Sequence, residues 1–441
     1  MTARPQLLDI PTTRRRLIQL ALAGLGTAVL AGCGASPRGS ASAQRFFWQA
    51  IPPYSLQGTD PNRVAYLRAR LAAFEAATGW EVEPLVTSAD TTQAMAKLVL
   101  QASQGRAPDI SQVDGYLFGR IANAAQPLDS AVEAAGLRLD DWFEPVRSNM
   151  IGPAGTPGGI RSLQFTTDVR VLYYRKDLIS RPPASWDEVM AMAGALEASG
   201  AGVTLPAGRS EGAVTTTLWP QYWAQGHELF DSDGDVAFAS GAAYDAMAQA
   251  LGVVEGLISS GITPQRVATF GKEDDQNTDV VAGRVAMFVG GNWQSTALDN
   301  LISDENFFDT WGVAPIPTLT GENHRTSAGG WVWAAFSDDP ETVRTGTEWV
   351  MDAFVGDDGM AAWCSLGGYL PPRASVYDHP DYQTNPFTQT FRAHLEEYAQ
   401  VRPAARNYSK VSDAMQVALS SVAAGIAEPE QALDQALIKI S

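Results

Sequence analysis

Cysteine and histidine are scarce in this sequence, and neither has the spacing that metal or redox chemistry needs. Only Cys33 and Cys364 occur among 441 residues. Cys33 falls in a lipidation signal described below, so Cys364 has no partner for an intramolecular disulfide and stability rests on a packed core. The four histidines, His227, His324, His379 and His394, lie far apart with no HExxH or paired-ligand spacing. They read as surface or core residues rather than metal ligands. No GxxxxGK[ST] phosphate loop, GxSxG nucleophile elbow or GxGxxG dinucleotide turn occurs, so no cofactor or metal is expected. Asp231-Ser232-Asp233-Gly234-Asp235 starts like a calcium loop, but the twelfth loop position holds Ala242 instead of glutamate. A tight acidic turn is the better reading. Basic residues are also in deficit, 31 against 49 acidic, for a net charge of −18. That balance argues against nucleic acid and anionic lipid surfaces as partners, since both call for basic patches.

Beyond the first 32 residues no apolar run approaches the roughly 20 residues of a membrane span. Those first residues have a different character. Arg14, Arg15 and Arg16 precede fifteen mostly apolar residues, and Leu30-Ala31-Gly32-Cys33 forms a lipobox ending in a lipid-accepting cysteine. The layout is that of a secretory signal rather than a membrane-anchor helix. Thr13-Arg14-Arg15-Arg16-Leu17-Ile18 also resembles a twin-arginine export motif. The expectation is a signal peptide over 1–32, lipid on Cys33, and a small, polar tether over 33–44. The mature chain would then sit on the outer face of a bacterial cytoplasmic membrane, held through its N-terminal lipid only. Residues 1–32 carry four arginines against one aspartate, so the remaining 409 residues have a net charge of −21. At roughly 100–200 residues per domain, two or three compact units are expected.

From Phe46 onward, short apolar strands alternate with amphipathic helices. Strand patterns fall at Phe46–Trp48, Val82–Val86, Asp109–Val113, Val169–Tyr174 and Val285–Val289. Helical patterns fall at Asn62–Ala77 with Gly79 beyond, from Asp90 to Gln104, and from the Ser185-Trp186-Asp187-Glu188 capping box to Ser199. Others follow at Ala242–Ser259, Glu273–Ala282, Glu341–Phe354, Pro386–Tyr398, Ser412–Ala424 and Pro429–Ile440. This alternation predicts an α/β protein with mainly parallel sheets. Twelve tryptophans and twelve tyrosines stand out against the thin catalytic inventory. Most are expected in the core. The remainder suit sugar recognition, in which a flat ring covers C–H groups and nearby carboxylates accept hydroxyl protons.

Several segments, read in order, resemble family 1 extracellular solute-binding proteins of ABC importers. They are Ala107-Pro108-Asp109-Ile110 with Gln126-Pro127-Leu128-Asp129, Tyr173-Tyr174-Arg175-Lys176-Asp177-Leu178, and Pro182-Pro183-Ala184-Ser185-Trp186-Asp187-Glu188. Gly283-Arg284-Val285-Ala286-Met287-Phe288 with Gly291-Asn292-Trp293, Trp311 to Pro317, Gly329-Gly330 and Gly368-Tyr369-Leu370-Pro371 complete the series. The departure from the family's "YNKDL" is Tyr174-Arg175-Lys176-Asp177-Leu178. The resemblance implies an α/β, two-lobed periplasmic-binding-protein-like fold (type II) with a ligand cleft between lobes and three chain crossovers. These fall near 165–168, 313–317 and 366–371, giving one lobe from 45–165 and 314–367 and the other from 166–313 and 368–441.

It further implies a non-enzymatic, monomeric receptor that captures a carbohydrate and delivers it to a membrane permease. A disaccharide such as trehalose or maltose is the expected ligand; a glycerol-phosphate diester or polyol ligand and a secreted carbohydrate-active hydrolase are the alternatives. Cleft residues carried over by motif are Asp114, Asp168 and Trp293, then Gly330, Trp331, Tyr369, Arg402 and Glu211, with Tyr54 after the first strand. A phosphate ligand would call for clustered cations, of which Arg402 is the evident one.

Overall fold

Helix ends follow side-chain chemistry. A computed structural model describes residues 44–88, 90–151, 159–302, 306–403, 405 and 407–441. The signal segment, Cys33, the tether to residue 43 and Ala404 beside Arg402 lie outside the described residues. Asp60 accepts from the amides of Asn62 and Arg63 at 2.8 and 3.0 Å, and left-handed Gly79 closes the helix Pro61–Thr78. Such a cap satisfies amides that a first helical turn leaves unpaired. Asp90 does the same for Thr91–Ser103, accepting from Gln93 at 2.9 Å. Ser185 accepts from the Glu188 amide at 3.2 Å, opening Trp186–Ala191. Glu188 reaches back to the Ala184 amide at 2.7 Å, one residue beyond the usual capping-box partner. The helix expected to continue to Ser199 breaks at Met192 and resumes as Ala193–Ser199.

The strands among the described residues are β1 (Arg45–Gln49), β2 (Glu81–Leu85), β3 (Ile110–Asp114), β4 (Leu163–Gln164), β5 (Arg170–Arg175) and β6 (Gly202–Thr204). After them come β7 (Val285–Gly291), β8 (Trp311–Ala314), β9 (Thr326–Ala328), β10 (Trp331–Ala335) and β11 (Ala399–Val401). They form a five-stranded sheet ordered β2-β1-β3-β10-β4, a four-stranded sheet ordered β6-β7-β5-β8, and the pair β11-β9. The expectation of mainly parallel sheets is corrected here, for both larger sheets are mixed. β1 runs parallel to β2 and β3, and β6 to β7, but β10 is antiparallel to β3 and β4, and β5 to β7 and β8. The reversed strands sit where the chain passes between sheets. There the right-handed helical return that keeps successive strands parallel does not apply.

Those passages lie side by side. Thr167 and Leu370 exchange backbone hydrogen bonds at 2.8 and 3.3 Å, Phe165 donates to Trp331 O at 3.1 Å, and Val169 bridges Ala328. Side chains tie the same backbones together. Gln164 Nε2 and Thr167 Oγ1 both donate to Gly329 O, at 2.8 and 3.1 Å. Asn292 accepts from Val169 N at 3.1 Å and donates to Gly368 O at 3.0 Å. A two-lobed protein closes by changing backbone angles at just such connecting segments.

Seven of the twelve tryptophans are under 2 % exposed, so most serve packing. Under the first sheet Trp48 meets Trp349 edge-on at 5.4 Å, and Trp333 lies 4.9 Å from Phe354. The second core gathers Leu172, Leu218, Leu251 and Leu419 between the four-stranded sheet and helices Gly241–Ser259 and Tyr408–Ala423. Phe387 and Phe391 pack on Tyr173 of β5.

Candidate functional site: a charged, aromatic-walled cleft

The strand ends and the connecting segments enclose a cavity of about 1370 Å³. All nine positions singled out from sequence, Tyr54, Asp114, Asp168, Glu211, Trp293, Gly330, Trp331, Tyr369 and Arg402, lie on its wall. Asp114 is the last residue of β3, so the strand delivers its carboxylate to the sheet's edge. Arg402, just beyond β11, donates to Asp114 and to Glu211, each at 3.1 Å, while its guanidinium lies 4.0 Å from the Tyr116 ring. Glu211 opens its helix after the Ser210 cap. It accepts further from Tyr408 at 2.6 Å and from the Ser412 hydroxyl. A second guanidinium, Arg170 of β5, pairs with Asp168 and with Glu273, the latter at 3.1 Å. The two systems meet over Gly329, where a Cβ would stand 3.1 Å from Arg402 and 3.5 Å from Asp168.

The Asp114 carboxyl is pushed up to about 6, chiefly by burial, with Arg402 opposing the rise and Glu211 and Asp168 adding to it. Charged groups so arranged in a cleft mark a candidate site. Asp274 is also raised, by burial and by neighbouring Glu273, against the Trp293 indole N–H that donates to it at 3.1 Å.

Aromatic rings flank this charge. Trp293 is half-buried, with Arg170 5.2 Å from its ring. It is the first residue of helix Trp293–Leu301, two residues past the end of β7. Across the cavity, Tyr54 stacks on Tyr369 at 5.4 Å and lies 5.5 Å from Trp331. Tyr54 is buried, while Trp331 and Tyr369 are half-buried. Arg63 donates to the Tyr369 hydroxyl at 3.0 Å.

Comparison with known proteins gives this geometry a context. The family described as "Bacterial extracellular solute-binding protein" matches residues 69–390. The chain belongs to that family. A relative from Deinococcus radiodurans named "Probable ABC transporter-binding protein" is 26% identical over 344 residues, 74% of this chain and 77% of its own length. The sn-glycerol-3-phosphate-binding periplasmic protein of Shigella dysenteriae is 24% identical, over 76% of this chain and 78% of its own. Among solved structures, maltose-bound MalE3 of T. maritima superposes with a TM-score of 0.74 at 23% identity, covering 90% of this chain and 99% of that one. The fold is therefore that of the two-lobed binding proteins.

Within this solute-binding fold the structure adds residues that the sequence reading missed. Arg170, Glu273, Tyr116, Tyr408 and Ser412 organise the charges named above. The signal for Arg170 was present: a lone cation opening an apolar strand, two residues after Asp168 and thus on the same face. Tyr116 lies two residues after Asp114; Glu273, Tyr408 and Ser412 carried no signal in the sequence. The cation inventory is also corrected: Arg63, Arg120, Arg170, Arg209 and Lys272 line the cavity beside Arg402. Folding gathers them from segments that are far apart.

Elsewhere, Asp231 accepts from the amides of Asp233 and Asp235, both at 2.9 Å, making the tight acidic turn. Among the described residues the group with metal-ligand proximity is Asp358, His379 and Asp381, away from the cavity wall. No helix among them is long and apolar enough to cross a membrane.

Proposed function

We propose that this chain is the extracytoplasmic binding component of an ABC importer that captures a carbohydrate and hands it on unchanged to a membrane permease. The observation that carries the reading is one cavity with carboxylates at its centre and aromatic rings on two sides. Carboxylates accept hydroxyl protons in strong charge-assisted bonds, and ring faces cover the C–H surface of a pyranose. A disaccharide such as trehalose or maltose is the first choice of ligand. Segments 45–165 and 314–367 form one lobe, 166–313 and 368–441 the other, and ligand is enclosed as they close. The experiment is a thermal melt with a sugar panel followed by product analysis. A cognate sugar should raise the melting temperature with concentration and be recovered intact; hydrolysis or transfer products above a no-protein control would overturn the reading. A second reading, a glycerol-phosphate diester, is favoured by Arg209 and Lys272. Both are exposed on the cavity wall, and neither side chain forms an ion pair among the described residues.

Trp293→Ala should weaken sugar binding by about 1–3 kcal/mol, the cost of uncovering a large apolar face. Its ring is half-buried, so folding stability should fall by less than the ~3–5 kcal/mol typical of a core aromatic. Calorimetry and a denaturant melt separate the two; intact affinity with a large stability loss would remove Trp293 from the site.

The lipid anchor is part of the proposal. Cys33→Ala should release the protein from membranes and leave sugar affinity unchanged, because stable attachment needs the acyl chains. Retention in the membrane fraction after a high-salt wash would contradict it.

A further inference from the structure

The buried charges of the cleft do not balance. Two guanidinium groups, Arg170 and Arg402, face four carboxylates, Asp114, Asp168, Glu211 and Glu273. Across the wall as a whole, eight carboxylates oppose six cations among the described residues. Excess charge taken out of water is costly unless something of opposite sign arrives.

Glu211 is engaged on both oxygens, by Arg402, Tyr408 and Thr215 on one and by Ser412 on the other. Glu273 takes both Arg170 and Thr216 on Oε1. Asp114 and Asp168 each engage a guanidinium through a single oxygen, leaving one apiece. Both face the cavity, and the charge of Asp168 helps to raise the Asp114 carboxyl. On the same wall, Thr166 is 2 % exposed and its hydroxyl has no hydrogen-bond partner. Two spare carboxylate oxygens and an unengaged hydroxyl match an ammonium group, which has three N–H donors and one positive charge.

We propose that the cleft prefers a saccharide carrying a protonated amino group, seated against Asp114 and Asp168 with Thr166 alongside, over its neutral counterpart. The inference rests on the carbohydrate reading and narrows it. Asp114 faces Arg402 beyond β11, Glu211 at its helix start, Asp168 between the sheets and the Tyr116 amide of its own segment. Only Arg402 among these is cationic, and it is shared with Glu211.

The test is titration calorimetry of trehalose, maltose and mono-amino derivatives of each, at pH 5, 7 and 9. At pH 7 at least one amino derivative should bind about tenfold or more tightly than its parent, the gain of a charge-assisted contact. The advantage should shrink at pH 5, where Asp114 holds a proton, and at pH 9, where the amine loses its own. Neutral sugars should show no such bell. Below pH 6, amino-sugar binding should release a proton, seen as a buffer-dependent heat. Asp114→Asn should collapse the ratio of amino to neutral affinity. Should that variant fail to fold, the wild-type pH profile and proton release decide alone. If trehalose or maltose binds and no amino derivative gains, this inference falls and the carbohydrate reading stands. If no saccharide binds at any pH, the carbohydrate reading fails and this one with it.

Discussion

Replacing Arg402 with alanine should cost about 3–5 kcal/mol of folding stability at pH 7 and remove measurable sugar binding. One guanidinium, 8 % exposed, neutralises both Asp114 and Glu211 and lies over Tyr116. Its loss leaves two carboxylates facing each other in a desolvated pocket, which is worse than never having buried the pair. The loss should depend on pH in a definite direction. Asp114 already titrates near 6 with Arg402 holding it down, so without the guanidinium it rises further. A carboxyl whose folded pKa lies above its unfolded value makes the folded state bind protons more readily, so stability grows as pH falls through that folded pKa. The deficit of Arg402→Ala should therefore narrow between pH 7 and pH 5. Arg402→Lys, which keeps charge but loses the two-pronged geometry, should fall between. Denaturant melts at the two pH values check this. A deficit below about 1 kcal/mol, or one equal at both, would show that the pair is solvated and contributes little.

That network also shows where sequence reasoning reaches and where it stops. Helix ends were legible because their causes are local: Asp60 and Asp90 lie two or three residues from the amides they cap, and Gly79 from the turn it closes. Strand positions were legible from short apolar runs. Strand direction was not, because β4, β5 and β10 take theirs from passage between sheets. Two stretches of wide helical turn, Val214–Leu218 and Met351–Val355, carry no periodicity that distinguishes them from ordinary helix. For the site, motif order brought out Asp114, Asp168, Trp293 and Arg402, all of which reach one cavity. It could not show that Arg170 serves Glu273, 103 residues away, nor that Tyr408 and Ser412 fill the remaining valences of Glu211. Those pairings are products of tertiary packing.

Gly330→Ala should be nearly as damaging as the loss of Arg402, for a reason that involves no charge. Gly330 sits between β9 and β10 with φ of +113°, a region that side chains other than glycine's rarely adopt. Holding alanine there costs about 1–3 kcal/mol in backbone strain. The added methyl would also stand 2.0 Å from Thr166 O and 2.8 Å from Gln164 Nε2, both on the first passage between sheets. Relieving that overlap forces two backbones apart, for roughly another 1–3 kcal/mol. The move would disturb the hydrogen bond from Gly115 N to Gly330 O at 3.0 Å, which helps to set the segment after Asp114. Stability and affinity should therefore fall together, because one displacement reaches both the joint and the cleft. Gly136 offers the control: its φ is +67°, yet a methyl added there would meet no atom within 4 Å. Gly136→Ala should incur strain alone and leave affinity unchanged. Equal stability losses in the two variants, measured by denaturant melt, would show that the contact with Thr166 relaxes freely and that the joint is looser than its hydrogen bonds imply.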